Sequence, residues 1–232
     1  MYSFFLLITI FSFFAYGNNF TSIILTKDNF ITIRGTIDET ISSNFIYDLN
    51  RKKNKTDVYV YLNTNGGSVE SGNKILLEIQ KYNLNCIAER AYSMGFVLLQ
   101  GCNKRYITPY TKLMQHQISY GIQNEKEKIN NYATYIDEID EELNQMQANK
   151  LNMDYEMFKH KTLNEWWVFG KNAIKQNMAD ELAYIFCTSE ITKTNYSIDF
   201  GSFSHTYSKC PLVSEPLEIK KNSNGNMVYI LQ

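Results

Sequence analysis

Two glycine-bearing turns hold the residues that could do chemistry. In Ala91-Tyr92-Ser93-Met94-Gly95 a short strand runs into an apolar helix. Ser93 then stands at a helix N-terminus with its hydroxyl presented, as in a nucleophile elbow. The same place suits a helix cap, whose hydroxyl is spent on the backbone of the next turn. In Asn65-Gly66-Gly67-Ser68 the glycines allow backbone N–H groups to approach a ligand where a helix begins and negative charge is favoured. A plain turn is the alternative there. No H-E-x-x-H, P-loop or G-x-G-x-x-G stands in the chain, so no metal, nucleotide or other cofactor is called for. The four cysteines, Cys86, Cys102, Cys187 and Cys210, are 16, 85 and 23 residues apart, which matches no zinc-ligand spacing.

The elements that must position these turns alternate between strand and helix. Phe30–Arg34 reads as a strand, and Ile41, Phe45 and Leu49 then recur at helical spacing. Asp57–Asn63 is β-branched and aromatic and leads into the Gly-Gly turn, after which Val69, Ile75, Leu76 and Ile79 mark a helix. Leu84–Arg90 is a further strand, Ser93–Cys102 a short helix, and Lys104–Thr108 and Leu113–His116 two more strands. The pattern is α/β. From about Glu125 to Lys150 the residues Ile129, Tyr132, Ile136, Ile139, Leu143 and Met146 step by 3, 4, 3, 4 and 3, an apolar stripe on a long helix. That stripe either packs on the chain's own body or forms a seam with a partner. Asn164–Gly170 is an aromatic loop or strand, followed by a short helix through Ala173, Ile174 and Asn177. After about Glu190 periodicity fades, and Val228–Leu231 alone reads as a strand.

Taken together, these segments resemble the ClpP family of serine peptidases, which has the ClpP/crotonase fold, a spiral of ββα units with a long protruding helix. Asp57–Val69 is similar to the family's strand followed by Ser-Pro-Gly-Gly-Ser-Val, and Ala91-Tyr92-Ser93-Met94-Gly95 to its Ala-Ala-Ser-Met-Gly nucleophile turn. Lys104–Pro109 resembles its Lys-Arg-x-x-x-Pro, and Met114-Gln115-His116-Gln117 its Met-x-His-Gln. The run from Glu165 through Ala173 to Asp180 resembles its acid-bearing segment.

The resemblance implies a serine endopeptidase acting on peptides or unfolded proteins. Ser93 is the nucleophile, His116 the general base, and the backbone N–H groups of Gly67 and Met94 the oxyanion hole. The family's aspartate falls on Glu165, one methylene longer. Two further departures bear on the site: Asn65 replaces a proline and loosens the loop, and Tyr92, in place of a small residue, narrows or blocks the substrate site. These departures support an alternative, a weak or inactive ClpP-like scaffold. A crotonase-like acyl-CoA site shares the fold, but Ser93 with His116 argues against it. The resemblance also implies a homo-oligomer of stacked rings joined through the long helix, and it leaves an AAA+ unfoldase partner open. His160 lies in a charged run and His205 in the tail, so neither competes with His116.

Composition limits the remaining choices. With 23 Lys and Arg against 24 Asp and Glu the formal net charge is -1, which excludes a strongly basic nucleic-acid binder. The 232 residues, 44% hydrophobic, suit one globular domain. An uncharged apolar run, Ser3–Phe14, precedes small residues at Ala15 and Gly17, so residues 1–17 read as a secretory signal peptide or, as the alternative, a signal anchor in the membrane. Residues 18–190 then form the peptidase domain, and 191–232 a C-terminal extension. Entry into the secretory pathway makes Asn19, Asn54 and Asn195 glycosylation candidates, and Cys187–Cys210 the expected disulfide because both cysteines lie near the extension.

Overall fold

The computed structural model describes residues 20–199, 201–221 and 228–230. The apolar run before residue 18 and the Asn19 sequon lie outside the described residues. Among the described residues no helix is long and apolar enough to cross a membrane.

The chain enters through β1 (Thr21–Leu25) and then repeats a strand–helix unit: β2 (Phe30–Ile37), α1 (Glu39–Arg51), β3 (Tyr59–Gly67), α2 (Val69–Lys81), β4 (Asn85–Tyr92), α3 (Met94–Gly101) and β5 (Arg105–Gln115). The first two helices start at explicit caps. Asp38 caps α1 by accepting from Ile41 N–H at 2.8 Å, and Ser68 caps α2 by accepting from Ser71 N–H at 3.2 Å. The strands from β2 to β5 lie parallel in sequence order, each joined to the next by a crossover through a helix.

After β5 come the long helix α4 (Lys126–Lys150), α5 (Tyr155–Thr162), β6 (Trp166–Phe169), α6 (Asn172–Lys175) and β7 (Glu181–Cys187). The main sheet runs β1-β7-β5-β4-β3-β2, with β6 antiparallel on the far half of β5. The helices α1 to α3 cover one face, where Ile33, Leu62, Ile75, Leu98 and Leu99 are fully buried. A smaller cluster of Ile23, Leu25, Tyr61, Ile87 and Tyr106 covers the other.

Two sequence expectations change here. Lys104–Thr108 and Leu113–His116 do not form two strands: β5 is a single strand, with a slip at Thr108–Thr111 where its register against β4 jumps from Ala88↔Ile107 to Arg90↔Lys112. Thr111 pins the slip by donating its hydroxyl to Ala88 O and accepting from Thr108 N–H. The tail, in turn, is not irregular. After α7 (Ser189–Lys193), β8 (Asn195–Asp199), β9 (Phe203–Ser208), β10 (Glu218–Lys221) and β11 (Val228–Ile230) make a four-stranded antiparallel sheet in the order β11-β10-β9-β8.

This small sheet is tied to the body by a Cys187–Cys210 disulfide and by Arg34, whose guanidinium donates to Pro211 O at 2.7 Å. A second disulfide, Cys86–Cys102, joins the start of β4 to the end of α3.

Candidate active site

Among the described residues four non-glycine residues have positive φ, and three of them are asparagines, the type that tolerates it best. The fourth is Ser93, at φ 52° and ψ -121°. Such backbone costs about 1–3 kcal/mol and persists only where its surroundings hold it. Here Ser93 N–H donates to Met114 O at 2.9 Å, and Ser93 O accepts from Phe96 N–H at 2.8 Å at the start of α3. The hydroxyl makes no cap bond. Ser93 Oγ lies instead 2.8 Å from His116 Nε2. This bond separates the two sequence readings of Ser93, since a capping hydroxyl would be spent on the backbone.

His116 follows the last residue of β5, and the chain beyond it is tied down: Gln117 N–H donates to Thr162 O at 3.1 Å and Gln117 Nε2 to Leu163 O at 3.0 Å. The imidazole is therefore delivered from one strand end and the hydroxyl from its neighbour.

The Gly-Gly turn lies against this elbow. A Cβ on Gly66, at φ 89°, would come within 2.6 Å of Tyr92 O and 2.9 Å of Met94 N, so the approach requires glycine. Asn65 does not leave the loop free, because Thr64 Oγ1 accepts from Gly66 N–H at 3.0 Å and donates to Gly35 O at 2.5 Å. Gly67, Ser93, Met94 and His116 line one narrow cavity of about 60 Å³. Met94 is the first residue of α3, so its N–H has no partner within the helix.

Tyr92 is not part of that lining. Its ring packs edge-on against Trp167, centroids 4.9 Å apart, which takes it off the cavity instead of across it. Glu165 is exposed, and its Oε2 accepts from Trp167 Nε1 at 2.8 Å. Among the described residues no carboxylate bonds to His116, so the structure joins Ser93 to His116 and leaves Glu165 bonded to Trp167. His160 is exposed on α5, while His205 lies on β9 against Tyr207; neither lines the cavity. Asn54 and Asn195 are both exposed.

Sequence reasoning missed the far wall of the cavity. It is built by Gln115 from β5 and by Asp140, Asn144 and Gln147 from α4. Nothing in the order of residues sets Asp140 apart from the acids around it; only the helix's packing does. Among the described residues no cluster of His, Cys, Asp and Glu could hold a metal ion.

At the opposite end of β5 from His116, Arg105 is 4% exposed and makes a two-pronged pair with Asp180, Nη2 to Oδ1 at 2.6 Å and Nε to Oδ2 at 3.1 Å. Burial works against the Asp180 carboxylate, but bonds from the Arg105 side chain and backbone outweigh it and hold its pKa below the ordinary carboxylate value. A family model described as Clp protease matches residues 17–185.

Proposed function

The chain belongs to the Clp protease family, and from that premise we propose that it is a serine peptidase whose nucleophile is Ser93. The observation that carries this reading is the 2.8 Å contact between a strained, uncapped Ser93 hydroxyl and His116 Nε2. His116 takes the hydroxyl proton as Oγ bonds to the carbonyl carbon of a peptide. The tetrahedral oxyanion sits against the N–H groups of Gly67 and Met94. The C–N bond then breaks, the proton passes from His116 to the leaving amine, and an acyl-enzyme ester remains on Ser93. Water hydrolyses that ester by the same steps, losing its proton to His116 and restoring the serine. Glu165 swings from Trp167 to orient the imidazole and stabilise its cation.

Substrates are peptides or unfolded chains, cleaved without an unfoldase inside a homo-oligomer built through α4. An oxidising compartment of the secretory pathway suits the two disulfides and the apolar N-terminal run. Labelling with a fluorophosphonate tests the reading: modification at Ser93, lost in Ser93→Ala together with peptide cleavage, is expected. An unlabelled Ser93 would reject it.

The Glu165–Trp167 bond favours a second reading, a scaffold that keeps the pair but never completes a triad. Labelling without turnover of any peptide would select it.

A further inference from the structure

The cavity beside Ser93 has an unusual wall for a pocket built into an apolar core. Gln115 is 4% exposed, and its Oε1 is buried without a hydrogen-bond partner. Such an acceptor costs about 1–3 kcal/mol when left unpaired. Its orientation follows from its neighbours. Gln147 Nε2 donates to Leu143 O at 3.0 Å, and a carbonyl can only accept, so Gln147 must present its oxygen to Gln115. Gln115 must then answer with its nitrogen, which it does at 2.7 Å. The oxygen is what remains, in a side chain that lines the cavity.

Asp140, half-buried in the same wall, accepts from Asn144 Nδ2 at 2.7 Å. Burial raises its pKa, with Asp137 adding to the effect, while Ile118 N–H, Asn144 and the charge of Lys159 only partly offset it. The carboxylate thus lies in the cavity wall with its burial only partly offset by donors and cations. Both Gln115 Oε1 and the Asp140 carboxylate are acceptors. Val97 and Leu143 supply apolar flanks suited to a methylene stem.

We infer that this cavity receives the side chain of the residue whose carbonyl Ser93 attacks, and that Gln115 and Asp140 select a basic one there, lysine above all. The position follows from the lining: the groups that bracket the reacting carbonyl, Ser93, Gly67 and Met94, also open onto the cavity. The charge follows from Asp140 and the donor requirement from Gln115. The slenderness follows from a volume of about 60 Å³, which favours an unbranched stem over a planar guanidinium or an aromatic ring. An acidic side chain would meet two acceptors and is excluded. This inference rests on Ser93 being the nucleophile.

The test uses the full chain and peptide coumarin amides that differ only at the residue before the scissile bond: lysine, norleucine and glutamate. Norleucine keeps the stem and lacks the ammonium. The expected result is a kcat/KM for lysine at least about tenfold above norleucine, with glutamate the poorest. The lysine-to-norleucine ratio should fall at least about fivefold in Asp140→Asn, because the amide keeps the shape and loses the charge. Equal turnover of lysine and norleucine by a protein that fluorophosphonate labels at Ser93 overturns the pocket assignment and leaves the peptidase reading standing. A ratio unchanged in Asp140→Asn removes Asp140 from the selection. No labelling and no cleavage overturn both. The wild-type panel decides the matter even if the variant fails to fold.

Discussion

When the β5–β6 register is continued one step past its last pair, Glu165 falls opposite His116. Strands β5 and β6 pair Met114 with Trp167 and Gln115 with Trp166, and the next step of the same antiparallel register sets His116 against Glu165. Directly opposed residues have Cβ atoms about 4.5–5.5 Å apart, a span a glutamate side chain can close. In this structure the carboxylate turns instead to Trp167 Nε1, two residues along the chain. The acid is bonded to the indole and not to the imidazole.

Trp167→Phe removes the competing donor and keeps the ring that packs on Tyr92. It should raise the turnover of a small peptide ester. Glu165→Gln should lower turnover on the order of 10²- to 10⁴-fold, because a neutral amide cannot stabilise the imidazolium. Glu165→Asp should lose less. If Glu165→Gln matches wild type while Ser93→Ala is inactive, the site works as a Ser–His dyad.

Backbone strain at Ser93 gives a measurement independent of activity. At φ 52° and ψ -121° a glycine is relaxed and an alanine is not. Ser93→Gly and Ser93→Ala both lose the hydroxyl, so their difference isolates the backbone. Glycine should be the more stable by about 1–2 kcal/mol in chemical denaturation. A glycine variant less stable than the alanine one would contradict the elbow conformation.

How far the sequence foretold this site depends on where each signal lived. The strands from β2 to β5 and the helices between them carry local periodicity and explicit caps such as Asp38 and Ser68, so they were readable in order. The slip at Thr108–Thr111 was read as a break, because Pro109 interrupts the alternation that continuous pairing would otherwise show. Strands β1 and β7 carry little local signal because their partners are distant in sequence, Thr21 facing Ala183 and Tyr106 facing Glu181. In the tail, β8 is exposed at every residue, so it has no buried face to print an alternation. Ser93 and His116 emerge from short motifs at turns, where side-chain identity is the signal. Asp140 sits among Asp137, Glu138, Glu141 and Glu142, and only tertiary packing turns it toward the cavity.

Asp180 should tie stability to acid pH. Its folded pKa lies below the ordinary carboxylate value of about 3.9, so the stabilisation is complete above that value. It is lost as pH falls through the depressed folded value. Asp180→Asn leaves the Arg105 guanidinium buried with Gln100 and one amide oxygen, and should cost about 3 kcal/mol at pH 7. The gap between wild type and variant should close below about pH 4. A gap that persists in acid would assign the loss to packing instead of charge.

The stripe on α4 divides into two halves with different roles. Leu143 is buried, and Ile139 and Met146 pack against the core of the same chain, so that half belongs to the protomer. Nearer the start, Tyr132 is 38% and Tyr135 55% exposed, and with Tyr120 they form a run of ring contacts at the surface. Leu143→Ala should therefore destabilise the fold by about 2–5 kcal/mol whatever the assembly. Tyr132→Glu with Tyr135→Glu should leave the melting of the isolated protomer almost unchanged and reduce the native mass, because two carboxylates would have to be desolvated at a protomer contact. Native mass spectrometry reads the outcome directly. An assembly unaffected by both charges would place its contacts away from this half of α4, and a monomeric wild type would remove the chamber from the proposed mechanism.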